Sequence, residues 1–229
     1  MKRRSFLGSV AAFASSDWKP LFDGKSFANW RDPSQLSPPG DSWHIAEGCL
    51  VAKREPQLLE DLETVEHFTF FEFAFEWKLG PDGNSGLKYA IEQRIFFENS
   101  EPGWVKGKRV PSRKFSPGTR GQQYLKAKEF QLVDDSSNQD ALQGEDRKTG
   151  SIYRRLVRQS AANAPINQWN RGVLRKLPDR VEHEVNGAIV LSSATFPKAA
   201  SDWNAPSPIA LQNHADSEVR FRNLQIRIL

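Results

Sequence analysis

Two polar residues alternate with two apolar ones in the stretch KEFQLVDD, residues 128–135. On a β-strand, successive side chains point to opposite faces, so Glu129 and Gln131 share one face while Phe130 and Leu132 share the other. The carboxylate and the amide would then stand about 7 Å apart, two residue rises along the strand. Such a pair can bind the hydroxyl groups of a polyhydroxylated ligand. The alternative interpretation is an ordinary solvated strand face.

Polar side chains of similar chemistry occur on other strand-like stretches. They are Lys88, Tyr153, Glu182 with Glu184, and Gln212 with His214. With Glu129 and Gln131 they supply an ammonium group, carboxylates, amides, a phenol and an imidazole. Planar amides and carboxylates bind sugar hydroxyls, so the set could line one carbohydrate-binding face. The pattern is equally compatible with unrelated surface strands.

The stretch HFTFFEFAFEWKLG, residues 67–80, is the clearest strand in the sequence. Phe71, Phe73, Phe75 and Trp77 alternate with polar or small residues, which makes one face almost entirely aromatic. The turn-forming residues PDGNSG follow, and then LKYAI, which also alternates. This order predicts a hairpin.

Further short strands with turn signals between them run to the end of the chain. They are residues 43–53, 128–134, 150–156, 172–193, 209–215 and 218–229. The alternation in 218–229 changes parity midway, which indicates a bulge. Residues 135–148 are polar and contain a glycine, so we interpret them as a loop. No repeat and no alternation of strands with helices is visible, and the sequence therefore predicts an all-β fold of two antiparallel sheets packed face to face.

Composition and charge narrow the function classes. A chain of 229 residues with 38% hydrophobic and 26% charged residues can bury one sizeable core. Much of the net charge of +4 comes from the basic stretch 105–128, which contains several prolines and glycines and few aromatic residues. We interpret this stretch as a long loop or a lid, not as a nucleic-acid site. The single cysteine, Cys49, excludes an intramolecular disulfide and a cysteine-based zinc site.

The N-terminus resembles an export signal. Arg3 and Arg4 precede a short apolar run, and Ala12-Phe13-Ala14 has the small-x-small form of a cleavage site. The pattern is typical of a Tat-type signal over residues 1–16, with a single domain over residues 17–229 in the periplasm or outside the cell. A short basic start on a cytoplasmic protein is the alternative. No other segment approaches the roughly 20 apolar residues of a membrane span.

Seven motifs occur in order along the chain: LFDGKSFANW, GNSGLKY, EFQLVDD, RKTGSIY, QWN, VEHEVNG and PIALQNHADSEVRFRNLQI. In this order they resemble the 3-keto-disaccharide hydrolase family, from about residue 18 to residue 229. The resemblance implies a jelly-roll sandwich similar to concanavalin A-like lectins and glucanases. Asn213 and Ala215 stand where the family usually has Asp and Gly, and Glu184 replaces an aromatic residue, which bears on substrate preference. The longer stretch 105–128 bears on access to the site.

The resemblance also implies that the substrate is a glycoside with a ketone at C3. That ketone favours one route of cleavage over another. It acidifies the C2 proton through an enolate and disfavours the oxocarbenium-like transition state of ordinary glycosidases. The easier route is proton abstraction followed by elimination of the glycosidic oxygen, with or without addition of water. On this basis we expect a general base, a cation at the enolate oxygen and donors or acceptors for the hydroxyls. The candidates are Glu129 or His214 as the base, Lys88 or a bound divalent metal ion at the enolate, and Gln131, Tyr153 and Gln212 at the hydroxyls.

Two rival functions use the same fold. A non-catalytic carbohydrate-binding module would bind sugar through the same polar side chains without a reaction. A structural domain would keep the fold and have no such site. The tandem Asp134-Asp135 similarly allows a calcium ligand pair, although a turn is the simpler interpretation. The sequence leaves the aglycone, the anomeric preference, the metal requirement and the oligomeric state open.

Overall fold

The computed structural model describes residues 17–32, 42–54, 60–97, 104–105, 108–109, 122–195, 203–214 and 217–229. The predicted export signal, residues 1–16, lies outside these ranges, as do residues 110–121 of the basic stretch. Within the described ranges, no helix has the length and apolar character needed to cross a bilayer.

The chain forms short strands joined by turns, together with two single-turn 3₁₀-helices at Ala141–Gln143 and Glu145–Arg147. The strands are β1 (Lys19–Pro20), β2 (Trp30–Arg31), β3 (Trp43–Ala46), β4 (Cys49–Ala52), β5 (Leu62–Thr64), β6 (Phe71–Leu79), β7 (Asn84–Phe97), β8 (Trp104–Val105), β9 (Lys108–Arg109), β10 (Gln122–Val133), β11 (Asn170–Lys176), β12 (Val181–Val185), β13 (Ala188–Ser193), β14 (Ala210–Leu211) and β15 (Val219–Ile228).

Two antiparallel sheets account for nearly all of these strands. The eight-stranded sheet has the order β13-β12-β11-β6-β15-β4-β3, with β1 paired to β15. The five-stranded sheet has the order β10-β7-β14-β5-β2, and β8 and β9 pair with each other. The prediction of a two-sheet antiparallel sandwich is confirmed.

The core lies between the inner faces of the two sheets. Phe73, Phe75 and Trp77 from β6 are buried, as are Phe130 and Leu132 from β10. The rings of Phe75 and Phe130 meet edge to face with centroids 5.7 Å apart, so the two strands contact each other across the sandwich. The alternation in the two clearest strands therefore predicted the core face correctly.

The predicted hairpin between residues 67–80 and the following strand is wrong. β6 pairs with β11 and β15 in one sheet, whereas β7 pairs with β10 and β14 in the other. The turn at residues 80–83 therefore carries the chain from sheet to sheet. Packing the aromatic face of β6 against the apolar face of β7 buries both faces, whereas a hairpin would leave them side by side in one sheet.

Other local predictions have mixed outcomes. The parity change in the last strand is a bulge between Arg222 and Gln225, where Asn223 has a φ of 53°. The loop assigned to residues 135–148 is confirmed apart from its two 3₁₀ turns. Residues 150–156 form turns and bridges where a strand was predicted, because this segment returns sharply at Arg154 with a positive φ. The predicted loop 105–128 is wrong for residues 122–128, which belong to β10.

Candidate active site

The outer face of the five-stranded sheet, here called the polar face, is organised by strand register. Glu129 lies directly opposite Lys88, Lys88 opposite Ala210, and Ala210 opposite Glu63. Residues directly opposite each other in an antiparallel pair point to the same face. Because Phe130 points into the core, this row of side chains faces outward.

A second row lies one step along the strands. Gln131 is opposite Gly86, and the backbone N–H of Gln212 donates to the Gly86 carbonyl at 2.8 Å. Asp61 precedes the core residue Leu62 and so returns to the polar face. The two rows place the predicted residues Glu129, Lys88, Gln131 and Gln212 on one surface.

Tyr153 reaches this surface from a neighbouring segment, residues 149–153, which runs along the edge of β10. The backbone N–H of Gly150 donates to the Gln131 carbonyl at 2.9 Å, and that of Tyr153 donates to the Glu129 carbonyl at 3.0 Å. The phenol of Tyr153 is half-buried, and burial together with the nearby Asp140 carboxylate raises its pKa. Tyr153 is therefore fixed beside Glu129.

His214 completes the predicted set at the exposed rim. It follows β14 by three residues, and its side chain is exposed. Its positive charge lowers the pKa values of Asp61 and Glu129, so it lies close to both carboxyl groups. The six residues predicted as catalytic or substrate-binding thus gather on the polar face, while their chemical roles stay a prediction.

Lys88 is held in a buried ion pair. Its Nζ lies 2.8 Å from Oδ2 of Asp61, and the two side chains are 2% and 5% exposed. Burial raises the pKa of Asp61, although Lys88 and the backbone N–H of Asn213 oppose that effect. The ammonium group is therefore fixed in position next to Glu129.

Glu129 differs from Asp61 because its carboxylate accepts no hydrogen bond from the described residues. Burial raises its pKa to about 7, Lys88 and His214 work against that effect, and Asp61 and Asp140 add to it. A carboxyl group with a pKa near neutrality can take up and release a proton under physiological conditions. Glu129 therefore has the properties of a general base.

Gly86 makes room for the Glu129 side chain. A Cβ atom at this position would lie 2.2 Å from Oε1 of Glu129 and 2.6 Å from its Cγ. No real side chain tolerates such contacts, so Glu129 can lie across β7 only because residue 86 is glycine.

Two amide oxygens near Glu129 are buried without a partner among the described residues. They are Oε1 of Gln131 and Oε1 of Gln212. The Gln131 amide is oriented by its Nε2, which donates to Oδ1 of Asn84 at 3.1 Å. A buried acceptor without a donor is unfavourable by about 1–3 kcal/mol, so both oxygens are suited to receive a ligand hydroxyl.

Glu182 and Glu184 are not part of this surface, and their inclusion in the predicted set is wrong. They lie on β12 in the eight-stranded sheet, where Arg180 binds Glu182 at 2.7 Å and Arg175 binds Glu184 at 2.6 Å. The alternation assigned them correctly to an outer face, but alternation does not specify the sheet.

Two metal sites were considered from the sequence, a divalent ion at the enolate and calcium at Asp134-Asp135. Within the described ranges, no three His, Cys, Asp or Glu side chains lie close enough together to hold an ion. The Asp134-Asp135 pair forms a turn, as predicted. Asp134 accepts hydrogen bonds from the backbone N–H groups of Ser136 and Ser137, and Asp135 accepts one from Thr149.

A separate cavity of about 590 Å³ lies beside the crossover turn, lined by residues 78–82, Glu47 and Glu218 among others. Arg220 in its wall is bound by Glu47 and by Glu218, each at 2.6 Å. Arg220 and these two glutamates are therefore paired with one another. The polar face, with a buried carboxylate that accepts no hydrogen bond from the described residues, is the stronger candidate site.

Three residues of the site were missed by sequence reasoning: Asp61, Gly86 and Asp140. Asp61 is followed by an apolar residue and then Glu63, an alternation that was visible but only a few residues long. Gly86 stood inside a recognised motif, yet its role depends on a neighbour in another strand. Asp140 lies in a loop, where no periodicity signals orientation.

Comparison with known proteins gives a consistent picture. A family described as the 3-keto-alpha-glucoside-1,2-lyase-like domain matches residues 17–227. A 3-keto-disaccharide hydrolase of Bacteroides thetaiotaomicron is 25% identical over 241 aligned residues, which cover 91% of this chain and 77% of that protein.

Solved structures agree on the fold. A Parabacteroides distasonis protein assigned provisionally as a glycosyl hydrolase superposes with a TM-score of 0.68 at 22% identity, covering 95% of this chain and 98% of its own. A Bacillus subtilis protein of galectin-like fold and unknown function gives a TM-score of 0.53 at 14% identity over 92% of this chain and 94% of its own. These likenesses show a jelly-roll sandwich of the concanavalin A-like type.

Proposed function

The chain belongs to the 3-keto-alpha-glucoside-1,2-lyase-like family, and from that premise we propose that its polar face cleaves 3-keto-glycosides. One observation carries the proposal. Glu129 is a buried carboxyl group with a pKa of about 7, no hydrogen-bond donor among the described residues and the Lys88 ammonium group directly across the strand pair. This arrangement suits removal of a proton next to a ketone.

The reaction begins with transfer of the C2 proton to the Glu129 carboxylate. The electron pair of the C–H bond moves into the C2–C3 bond, and the ketone oxygen becomes an enolate oxygen. Lys88 stabilises this oxygen, and its own position is fixed by the ion pair with Asp61. When the enolate collapses, the C1–O bond breaks, the glycosidic oxygen leaves with the aglycone, and a C1–C2 double bond forms. Addition of water to that double bond gives net hydrolysis.

The remaining polar groups bind the sugar. Oε1 of Gln131 and Oε1 of Gln212 accept hydrogen bonds from hydroxyls, which satisfies both buried oxygens. Tyr153 binds a further hydroxyl from the edge of β10. His214 is the second candidate base. Its side chain is exposed, so water competes with the substrate for its ring nitrogens, and this makes it less suited to that role than the buried Glu129.

We also propose that residues 1–16 direct export and that the domain formed by residues 17–229 acts outside the cytoplasm. The twin arginines at positions 3 and 4 and the start of the family match at residue 17 support this arrangement. Expression with and without residues 1–16, followed by fractionation of periplasm and cytoplasm, tests it. Equal cytoplasmic retention of both forms would contradict it.

The experiment that tests the activity is incubation of the purified protein with a 3-keto-disaccharide and, separately, with its unoxidised parent, followed by mass spectrometry. We expect loss of the 3-keto substrate only. Running the reaction in D₂O separates the routes, because elimination alone yields an unsaturated keto sugar, whereas elimination followed by hydration yields a 3-keto sugar labelled at C2. Binding of the 3-keto-disaccharide without turnover would instead support a lectin-like module, and an unlabelled hydrolysis product would exclude proton abstraction.

A further inference from the structure

A histidine in the core connects the eight-stranded sheet to the back of the polar face. His183 lies on β12 and is fully buried. Its ring stacks on Phe130 with centroids 4.0 Å apart and an interplanar angle of 7°. Phe130 stands between Glu129 and Gln131 on β10, so His183 contacts the strand that carries the proposed base.

Both ring nitrogens of His183 are hydrogen-bonded. Nδ1 lies 2.8 Å from the Gly150 carbonyl oxygen, and Nε2 lies 3.1 Å from the Tyr89 hydroxyl. A carbonyl oxygen only accepts, so Nδ1 carries the hydrogen and Nε2 accepts from Tyr89. Burial lowers the pKa of His183 to about 3, and the neutral ring therefore keeps this tautomer at physiological pH.

The Gly150 carbonyl is turned into the core by the local backbone. Gly150 has a φ of 92°, a conformation that favours glycine, and a Cβ atom there would lie 2.7 Å from Cγ2 of Val190. Other backbone bonds of this segment run to Glu129 and Gln131 of β10 and to loop residues such as Lys148 and Leu156, and none of these partners belongs to the eight-stranded sheet. The bond from His183 is therefore the contact that fixes the segment from the side of the opposite sheet.

We propose that His183 is a positioning residue that holds segment 149–153, and through it Tyr153, in register with Glu129. The inference rests on the proposed function, because Tyr153 matters only if the polar face binds the sugar. Without the Nδ1–H group, the Gly150 carbonyl is left buried and unpaired, and the segment moves to satisfy it. A displacement of about 1 Å at a catalytic site can lower the rate by as much as 10²-fold.

The test compares two amide substitutions at His183. In His183→Asn the amide nitrogen lies near the position of Nδ1 and keeps a donor for Gly150, whereas in His183→Gln the amide oxygen lies near Nε2 and keeps only the acceptor for Tyr89. We expect His183→Gln to lower kcat by about tenfold or more with little change in KM, and His183→Asn to stay within about threefold of the wild type. Tyr89→Phe is the matched control, since it removes a bond to the same ring, leaves Gly150 bonded and should retain kcat.

Two further readouts separate positioning from simple destabilisation. The loss caused by His183→Gln should nearly disappear in a Tyr153→Phe background, because both changes remove the same contribution. Amide hydrogen exchange of segment 149–153, which requires no substrate, should accelerate in His183→Gln and not in His183→Asn. The proposal would be overturned if the kcat losses of His183→Gln and Tyr153→Phe multiplied fully in the double variant. It would also be overturned if segment 149–153 exchanged equally fast in His183→Gln and His183→Asn. Failure of the wild type to cleave any 3-keto-glycoside would refute the proposed function alone, because the exchange result still judges the role of His183.

Discussion

The two outer faces of the sandwich use the same residue types in opposite ways. On the eight-stranded sheet, Arg175 binds Glu72 at 2.8 Å and Glu184 at 2.6 Å, so one guanidinium group satisfies carboxylates on two neighbouring strands. On the polar face, the cation Lys88 is committed to Asp61, and Glu129 receives no hydrogen bond from the described residues. The two sheets thus give carboxylates on their outer faces different surroundings, according to the donors beside them.

The energetic consequences of the two arrangements also differ. The Arg175 ion pairs are partly exposed, with side-chain exposures of 22% for Arg175, 10% for Glu72 and 12% for Glu184, and such pairs contribute about 1 kcal/mol each or less. A buried ion pair and a buried unpaired carboxyl group are unfavourable to form and intolerant of change. Equivalent substitutions on the two faces should therefore have unequal effects on stability and activity.

Removing the cation of each face should give the largest contrast. Lys88→Met leaves Asp61 as an uncompensated buried charge and should lower the free energy of unfolding by about 3–5 kcal/mol. Arg175→Met, on the other face, removes ion pairs with Glu72 and Glu184 that are partly exposed and should lower it by about 1–2 kcal/mol. Urea denaturation followed by tryptophan fluorescence measures both. Similar losses in the two variants would mean that the faces do not differ in the way described.

Removing one carboxylate from each face should separate activity from stability. Glu129→Gln is nearly isosteric and should keep the fold and ligand binding while lowering kcat on a 3-keto-glycoside by about 10²-fold, the lower range for a general base. Glu184→Gln is the matched control and should leave kcat within about twofold of the wild type. Full turnover by Glu129→Gln with an unchanged melting temperature would make His214 the leading base.

A single added methyl group at Gly86 should test the placement of Glu129. In Gly86→Ala the new Cβ displaces the carboxylate, and we expect kcat to fall by about tenfold, since displacements near 1 Å can lower rates by up to 10²-fold. Turnover is measured beside the melting temperature, which shows whether the fold persists. Unchanged kinetics in a folded variant would show that the position of the carboxylate is not critical.

The pH dependence should give a further test of the polar face. The base form of Glu129 is needed, so kcat/KM should rise with pH through about 7. The same raised pKa means that Glu129 binds more protons in the folded than in the unfolded state between about 4.5 and about 7, so its contribution to stability should fall as pH rises across that window. The slope is at most about 1.4 kcal/mol per pH unit. Because the lowered pKa of buried His183 acts in the opposite direction below about 6.5, the Glu129 contribution to stability is measured as the difference between the wild type and Glu129→Gln. Glu129→Gln should flatten the rate profile, and a wild-type rate that is flat from pH 5 to pH 9 would contradict the assignment of Glu129.

The period-2 alternation predicted what depends on single strands. It identified the core face of β6 and β10, and it placed Glu129 and Gln131 together on the opposite face. It could not assign strands to sheets, and for that reason the hairpin and the inclusion of Glu182 and Glu184 were wrong. Asp61 was missed because a strand of three residues gives too short a pattern. The raised pKa of Glu129 results from burial, with Asp61 adding to it and Lys88 opposing it, and these residues come from distant stretches of the sequence.

The position of β15 has a consequence for the order in which the protein is made. β15, residues 219–228, lies between β6 and β4, although both of those strands are synthesised much earlier. The eight-stranded sheet therefore cannot close until residue 228 has cleared the ribosome. Until then, the aromatic strand β6 exposes an unpaired edge, which is a template for aggregation. Folding dominated by such distant pairings is itself slow, which lengthens the time for which this edge is open.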